Sequence, residues 1–408
     1  MKIAFIVGVF PSLSETFVLN QITGLIDLGH EVKIFAGARS KKKLYHNDVH
    51  SYRLLDRVCY FHDKPQNKLL RIVTAVWILI SKGYKCPRAI LSSLNFFKYG
   101  ADAISLSLFY KVVHFLDAAD ADIVYCHFGQ NGLLAVMLKQ IGIIKGKIIT
   151  VFHAADITSY VNRHGKDVYH PLFREGRLFL TVSEFGKNIL LALGCDRDKV
   201  LVHHMGVNVD RFIPAKQRDS SRIRLLTVAR LVEKKGIVYG IDAVSKLLKV
   251  YPNVEYRIVG DGPLKSQLKR YINELKISDK VYLVGGKNQE EIIKLMQESH
   301  VFIMSSITDT HGATEGIPVV LMEAMAMKMV VVATRHAGIV ELVEDGKTGF
   351  LVEEKDVDAI VNRLEYIIGH KDEYVQIGEA ARSFIVQHFN IKRLNKLLGK
   401  YFLSVVQA

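Results

Sequence analysis

Paired cysteines are missing from this chain. The four present, Cys59, Cys86, Cys126 and Cys195, lie far apart with no C-x-x-C spacing, which argues against a thiolate zinc site or a disulfide framework and suits a reducing cytoplasm. No run approaches the roughly 20 apolar residues of a membrane-spanning helix, and the longest candidate, 72–80, is too short. The opening MKIAFIVGVFPS soon meets Glu15 and has no small-residue cleavage pattern, so it is expected as a buried first strand rather than a signal peptide. Solenoid repeats, low-complexity runs, C₂H₂ spacing and RNP-like aromatic strands are also missing, so nucleic acid is not an expected partner. After the first strand, Val7-Gly8-Val9-Phe10-Pro11 offers one glycine and then a proline, unlike the G-x-G-x-x-G turn of a dinucleotide-binding oxidoreductase. Acid is short relative to base. With 41 Asp and Glu against 55 Lys and Arg, the formal net charge of +14 favours an anionic partner without choosing which.

What is present is enough apolar residue for two cores. The chain has 408 residues, 49% of them hydrophobic, and single cores seldom grow past about 250–300 residues. Short apolar runs at 2–7, 31–35, 122–126, 147–152 and 178–182 read as strands of a buried parallel sheet, with helical periods between them. A second set follows at 222–228, 254–259, 280–284, 301–304 and 330–333, with helices starting near Gly236, Pro263, Gln289 and Pro318. The expected fold class is α/β, two Rossmann-like doubly wound domains facing a cleft. The expected organisation is a domain over 1–210, a linker over 211–221 where FIPAKQRDSS turns polar, a domain over 222–383, and an amphipathic helix over 384–408.

Glu315 and Glu323 stand eight residues apart in TEGIPVVLMEAMA. A helix beginning near Ile317, with Pro318 at its first position, would set Glu323 roughly 9 Å along the axis, at about 1.5 Å per residue. That span suits two carboxylates gripping hydroxyls on either side of a diphosphate at the positive helix end; it also permits the acid and base of an inverting glycosidase. Upstream, VARLVEKKG places Arg230 and Lys235 after a strand, where cations stabilise charge on a departing diphosphate. His153 follows the strand-like IITVF and can donate to a sugar hydroxyl, whereas His127, His203, His204, His311 and His336 are expected to be structural. Ser183-Glu184 reads as a helix cap, and Gly260-Asp261-Gly262 as a tight turn or a nucleotide contact. Asp120-Ala121-Asp122 resembles a metal-binding DxD but precedes a strand, so no metal site is expected.

The segments VARLVEKKG, VGDGP, ATEGIPVVLMEAMA and VELVEDGKTGFLV, in this order, resemble the C-terminal half of glycosyltransferase family four. FPSLSETFVLNQITGLIDLGHEV is similar to the branch that assembles bacterial exopolysaccharides such as colanic acid. The resemblance implies a GT-B architecture and a retaining, metal-independent hexosyl transfer from a nucleoside diphosphate sugar, with no further cofactor. His153, Arg230, Lys235 and Glu315 would be catalytic. Donor binding would fall to Arg230, Lys235, Glu315, Gly316, Ile317, Pro318, Glu323 and Asp261, and the acceptor side to Ser12, Glu15 and Asp156. The acceptor would be a lipid-linked oligosaccharide on the inner face of the cytoplasmic membrane, and the final helix would return to the N-terminal domain. Two positions depart from the family pattern: Pro11-Ser12-Leu13-Ser14-Glu15 replaces a Gly-Gly, and Ala154 replaces the glycine after the histidine. Glu315→Ala and Lys235→Ala are expected to stop transfer while leaving the fold intact. The rival readings are an epimerase or hydrolase acting on nucleotide sugars, and a non-catalytic saccharide-binding protein.

One stretch answers to neither core nor site. From Lys64 to Phe115, Lys64, Lys68, Arg71, Lys82, Lys85, Arg88, Lys98 and Lys111 interleave with Leu69, Leu70, Trp77, Phe96, Phe97 and Tyr110. Helices of that composition pack on the sheet and can also lie on an anionic membrane surface. The triplet Lys41 to Lys43 reads as a solvated loop.

Overall fold

Parallel strands buried on both faces read as continuous apolar runs, and the runs found in the sequence pair in that way. The structure is a computed structural model; it describes residues 1–12, 15–40, 45–61, 65–82, 86–216 and 222–408. The first seven strands are β1 (Lys2–Phe10), β2 (Glu31–Arg39), β3 (Val58–Tyr60), β4 (Ile123–His127), β5 (Lys147–Phe152), β6 (Leu178–Thr181) and β7 (Val200–Val202). They form one parallel sheet in the order β3-β2-β1-β4-β5-β6-β7. A second parallel sheet takes the order β10-β9-β8-β11-β12-β13. Its strands are β8 (Ile223–Val228), β9 (Val254–Val259), β10 (Val281–Gly285), β11 (Val301–Met304), β12 (Val330–Thr334) and β13 (Phe350–Val352). In both sheets the order reverses beside the first strand, which opens a crevice at the carboxyl ends of the strands. The fold is the expected pair of Rossmann-like units.

Side chains alternate across each sheet with the pleat. Ile3, Phe5 and Val7 of β1 face a core shared with Leu226, Phe302 and Met304 of the second sheet, whereas Ala4 and Ile6 face a core of the first unit alone. Val301, Ile303, Val330 and Val332 face a third core, within the second unit. The shared core is completed by the end of the chain.

A single helix is expected over 384–408; two form instead. The helix Lys371–His388 runs through the boundary expected at 383/384, and a second helix spans Ile391–Gln407. The break comes where Val207 donates from its N–H to the Phe389 carbonyl (2.9 Å) and accepts from Ile391 N–H (3.0 Å), while the Asn390 side chain caps the new helix. The last helix packs on the first unit: Asn395 Nδ2 donates to the Asn20 carbonyl at 3.0 Å, and the Phe402 ring meets Tyr125 edge-on at 5.0 Å. Because Phe402 is fully buried, Phe402→Ala should cost about 3–5 kcal/mol of stability, read as a lower urea midpoint at unchanged slope. A midpoint equal to that of the parent would show that this contact does not anchor the helix.

Candidate functional site

The site is built from loops that follow β8, β11 and β12 on one wall, and β1, β5 and β6 on the other. After β8, Ala229 N–H donates to Val259 O (2.9 Å) and Leu231 N–H to Asp261 O (3.0 Å), so the segment carrying Arg230 is stitched to the turn after β9. Gly260 makes that possible: at φ +144° its ideal Cβ would stand 1.8 Å from the Ala229 carbonyl oxygen. Asp261 itself accepts from Gly262 N–H (3.1 Å) and pairs with Lys265 (3.6 Å), which uses its carboxylate within its own turn.

Next comes the short 3₁₀ turn Glu233–Lys235, which aims two lysines at one acid. Lys235 Nζ lies 3.0 Å from Glu315 Oε2, and Lys234 Nζ lies 3.3 Å from Oε1 and 3.1 Å from the Thr314 carbonyl. Burial works to raise the Glu315 carboxyl, but the two ammoniums outweigh it and hold the group down to about 2. Lys235 is itself lowered by burial against the pull of Glu315. Arg230 is exposed at the same rim, within electrostatic reach of Lys235 and of Glu15 across the cleft. Thr314 Oγ1 is buried and has no hydrogen-bond partner, and the neighbouring Glu315 Oε1 has only the Lys234 ammonium.

The Glu315 loop is held from behind. Its N–H donates to His336 Nε2 at 3.0 Å, and His336 Nδ1 meets Glu354 Oε1 at 2.5 Å. An imidazole that accepts at Nε2 must carry its proton on Nδ1, so His336 is a neutral bridge rather than a cation. Glu354 also accepts from Thr308 N–H at 3.0 Å. Gly316 then passes close under the other wall: an ideal Cβ there would stand 2.9 Å from Val182 Cγ2 and 3.9 Å from the Ala154 Cβ. Glu341 spans the gap as well, accepting from the N–H groups of Glu184 (2.9 Å) and Phe185 (3.0 Å) at a helix start capped by Ser183.

On that facing wall His153 stands at the end of β5, its ring against Phe17 (4.6 Å) and Phe128 (4.5 Å), with Nε2 3.2 Å from His127 Nδ1. Burial pushes His153 down to about 3, so the pair is neutral at physiological pH. Asp156 does not reach the cleft. Fully buried, it accepts from the N–H groups of His153 and Gly129, each at 2.9 Å, and fixes the loop that presents His153. Ser12 and Glu15 line a small cavity with Phe10, Tyr45 and His46; burial raises Glu15 to about 7 against the pull of Arg230. Residues 13 and 14 of that loop lie outside the described residues, as does the triplet 41–43.

The two glutamates therefore sit in different surroundings. The helix begins at Val319, with Pro318 as its N-cap rather than its first residue, because Pro318 keeps an extended ψ of 118°. Glu323 lies about 6 Å along the axis from Val319 rather than 9 Å. It is buried with Arg211 and Gln289 as neighbours, and desolvation raises it to about 7. Asp120 and Asp122 bind the side chain and N–H of Lys2, at the sheet end opposite the cleft. Lys234 escaped notice in the sequence; the doubled lysine of VEKKG was its only signal. His336 had no signal at all, since its partners come from residues 21 positions before and 18 after.

Two Rossmann-like units meeting over a cationic, carboxylate-bearing cleft define a GT-B glycosyltransferase. The family description "Glycosyltransferase Family 4" matches residues 14–211, and "Glycosyl transferases group 1" matches 208–384. The chain is 37% identical to the amylovoran biosynthesis glycosyltransferase AmsK of Erwinia amylovora over 96% of both proteins. It is 36% identical to WcaL of Salmonella typhimurium, named for colanic acid biosynthesis, over 99% of this chain and all of that one. Among solved structures, Anabaena HepE with UDP and glucose superposes with a TM-score of 0.74 at 18% identity, covering 99% of this chain and 100% of that one. This chain belongs to the family 4 glycosyltransferases.

Glu323 gives a pH test. Its folded-state value lies above the ordinary carboxyl, so the native state holds the proton more tightly than the unfolded chain, and stability falls as pH rises from about 4.5 to about 7. Glu323→Gln should gain on the parent across that window, by up to about 3 kcal/mol above it. A difference in thermal midpoint that stays flat between pH 4 and 8 would contradict the raised value.

Proposed function

We propose that this enzyme moves a hexosyl group, with retention and without a metal ion, from a nucleoside diphosphate sugar to a lipid-linked saccharide acceptor during exopolysaccharide or other cell-surface polysaccharide assembly. The observation that carries the reading is Glu315 wedged between Lys234 and Lys235, with the buried Thr314 hydroxyl beside it left unpaired. A ligand rich in hydroxyls and phosphate answers both halves of that arrangement. The E. coli relative named UDP-Gal:alpha-D-GlcNAc-diphosphoundecaprenol alpha-1,3-galactosyltransferase, 26% identical over 75% of this chain and 80% of its own length, supports a lipid-linked acceptor. Neighbours solved with UDP and with UDP-glucose support the donor class. The acceptor places the work at the inner face of the cytoplasmic membrane, with an anionic lipid surface as partner.

Arg230, Lys234 and Lys235 take the diphosphate at the mouth of the helix Val319–Ala326, whose first N–H groups lack intrahelical acceptors. Gly316, Ile317 and Pro318 let the phosphates approach that mouth. Glu315, ionised above about pH 2, accepts from donor-sugar hydroxyls and has no proton to give, which removes it as a general acid. Glu323 bonds the ribose, and the neutral His153 contacts the sugar from the facing wall. As the bond from the anomeric carbon to phosphate breaks, the acceptor hydroxyl attacks from the same face and its proton passes to the departing phosphate oxygen. The three cations stabilise the charge that develops there. Ser12 and Glu15 border the acceptor side.

Removing Lys235 leaves Lys234 to pair with Glu315, so Lys235→Ala should stay folded and lose about 10²–10³-fold in kcat. Glu315→Ala should differ from Lys235→Ala in its effect on the fold. It strands two partly buried ammoniums and should cost about 3–5 kcal/mol of stability as well as turnover. The decisive measurement is a thermal-shift panel of UDP, GDP, ADP and their sugars, followed by turnover with acceptor. No stabilisation by any nucleotide, or donor consumed equally without acceptor, would overturn the assignment.

A further inference from the structure

The helix Lys68–Lys82 buries only a narrow stripe. Ala75 and Ile78 reach the core, and Arg71 spends its guanidinium on the carbonyls of Pro65 (2.9 Å) and Ser105 (3.2 Å). On the rest of the surface Leu69, Ile72, Val73, Val76, Trp77 and Ile80 are half exposed or more, with Leu69 at 75% and Ile80 at 78%. The segment Phe96–Ile104, helical on both sides of a kink at Gly100 and tied to the first helix through Ser105, adds Phe97 at 88% and Ile104 at 74%. Soluble domains rarely leave so many large apolar side chains uncovered in one segment.

Charge says what covers them. From 64 to 104 the chain has seven Lys and Arg and a single acid, Asp102, against a formal net charge of +14 for the whole chain. A protein partner for an apolar face of this kind needs no such shortage of acid; an anionic lipid headgroup layer does. The first helix is 15 residues, about 22 Å, shorter than the roughly 30 Å hydrocarbon layer. Among the described residues no helix is long and apolar enough to cross a membrane. The geometry fits a helix lying in the membrane plane, its apolar face among the acyl chains and its cations at the phosphates.

We propose that Lys68–Lys82, with Phe96–Ile104 beside it, is a monotopic anchor that inserts its outward face into an anionic leaflet. The inference stands or falls apart from the sugar-transfer reading, because it uses none of the cleft residues. Trp77 is the only tryptophan in the chain, so its fluorescence reports this face alone. The full-length protein is mixed with phosphatidylethanolamine/phosphatidylglycerol vesicles or with phosphatidylcholine vesicles, at low and high salt. With the anionic vesicles the expected results are co-sedimentation and a blue shift of Trp77 emission. Ile72→Gln/Ile80→Gln should weaken partitioning at least about ten-fold, while the stabilisation by nucleotide stays at the parent's value. Three results would overturn the proposal. Trp77 emission could ignore anionic vesicles at low salt. Binding could be lost in salt yet be indifferent to the double substitution, which is surface attraction without insertion. Light scattering could show a dimer whose Trp77 emission is already blue without lipid, which makes the face a contact between copies of this chain.

Discussion

A carboxylate sunk between two ammoniums is the constraint on which the rest of this structure depends. Burying charge is expensive, and a buried ion pair is weak evidence for stability, since well-packed apolar residues of the same volume commonly do as well. Keeping Glu315, Lys234 and Lys235 together therefore calls for a reason other than fold stability. The loop supplies one. Its backbone is pinned through neutral His336 to Glu354, and Glu354 in turn holds Thr308 after β11. Three strand ends thus fix one acid before any ligand arrives, and a preorganised charge needs no rearrangement when the reaction demands it.

The same chemistry in different surroundings gives the acids different work. Glu315 is held near 2 by its lysines, whereas burial raises Glu15 to about 7 against Arg230 alone, and raises Glu323 to about 7 against Arg211 and a hydrogen bond from Gln289. Glu315 can only accept. The other two have a reason to welcome a hydroxyl or a cation, because a hydrogen bond to the ionised form offsets part of the cost of burying it. Glu15 faces Arg230 across the gap, so narrowing or widening the cleft changes the field at both.

Much of the fold was legible because parallel strands announce themselves as apolar runs. Three strands were not: β3, β7 and β13 are three residues each, too short to carry a period, and each lies at a sheet edge where only one neighbour holds it. The end of the chain misled for a related reason. Apolar spacing runs on through Phe389, and nothing local says that Val207 takes that carbonyl. In the site, Arg230, Lys235 and Glu315 were legible as charges at strand ends. Asp156 pointed the wrong way because a buried acid serving backbone N–H groups looks, in sequence, like one serving substrate. Pro318 was placed one position too far inside the helix, since a proline suits either side of that boundary.

The two units divide the problem physically. The groups proposed to grip phosphate lie after β8 and β11 in the second unit, while the apolar helices Lys68–Lys82 and Phe96–Ile104 follow the edge strand β3 in the first. On the proposed function, a donor soluble in water and an acceptor held in lipid would meet between surfaces of opposite preference, and one continuous domain would have to present both. Two units joined through a shared core, with Gly316 packed against Val182 and Glu341 capping the helix after β6, let each surface keep its own solvent. On that reading the cleft is where the sugar leaves one phase for the other. That geometry requires a glycine at 316, because a side chain there would press on Val182 and force the two walls apart.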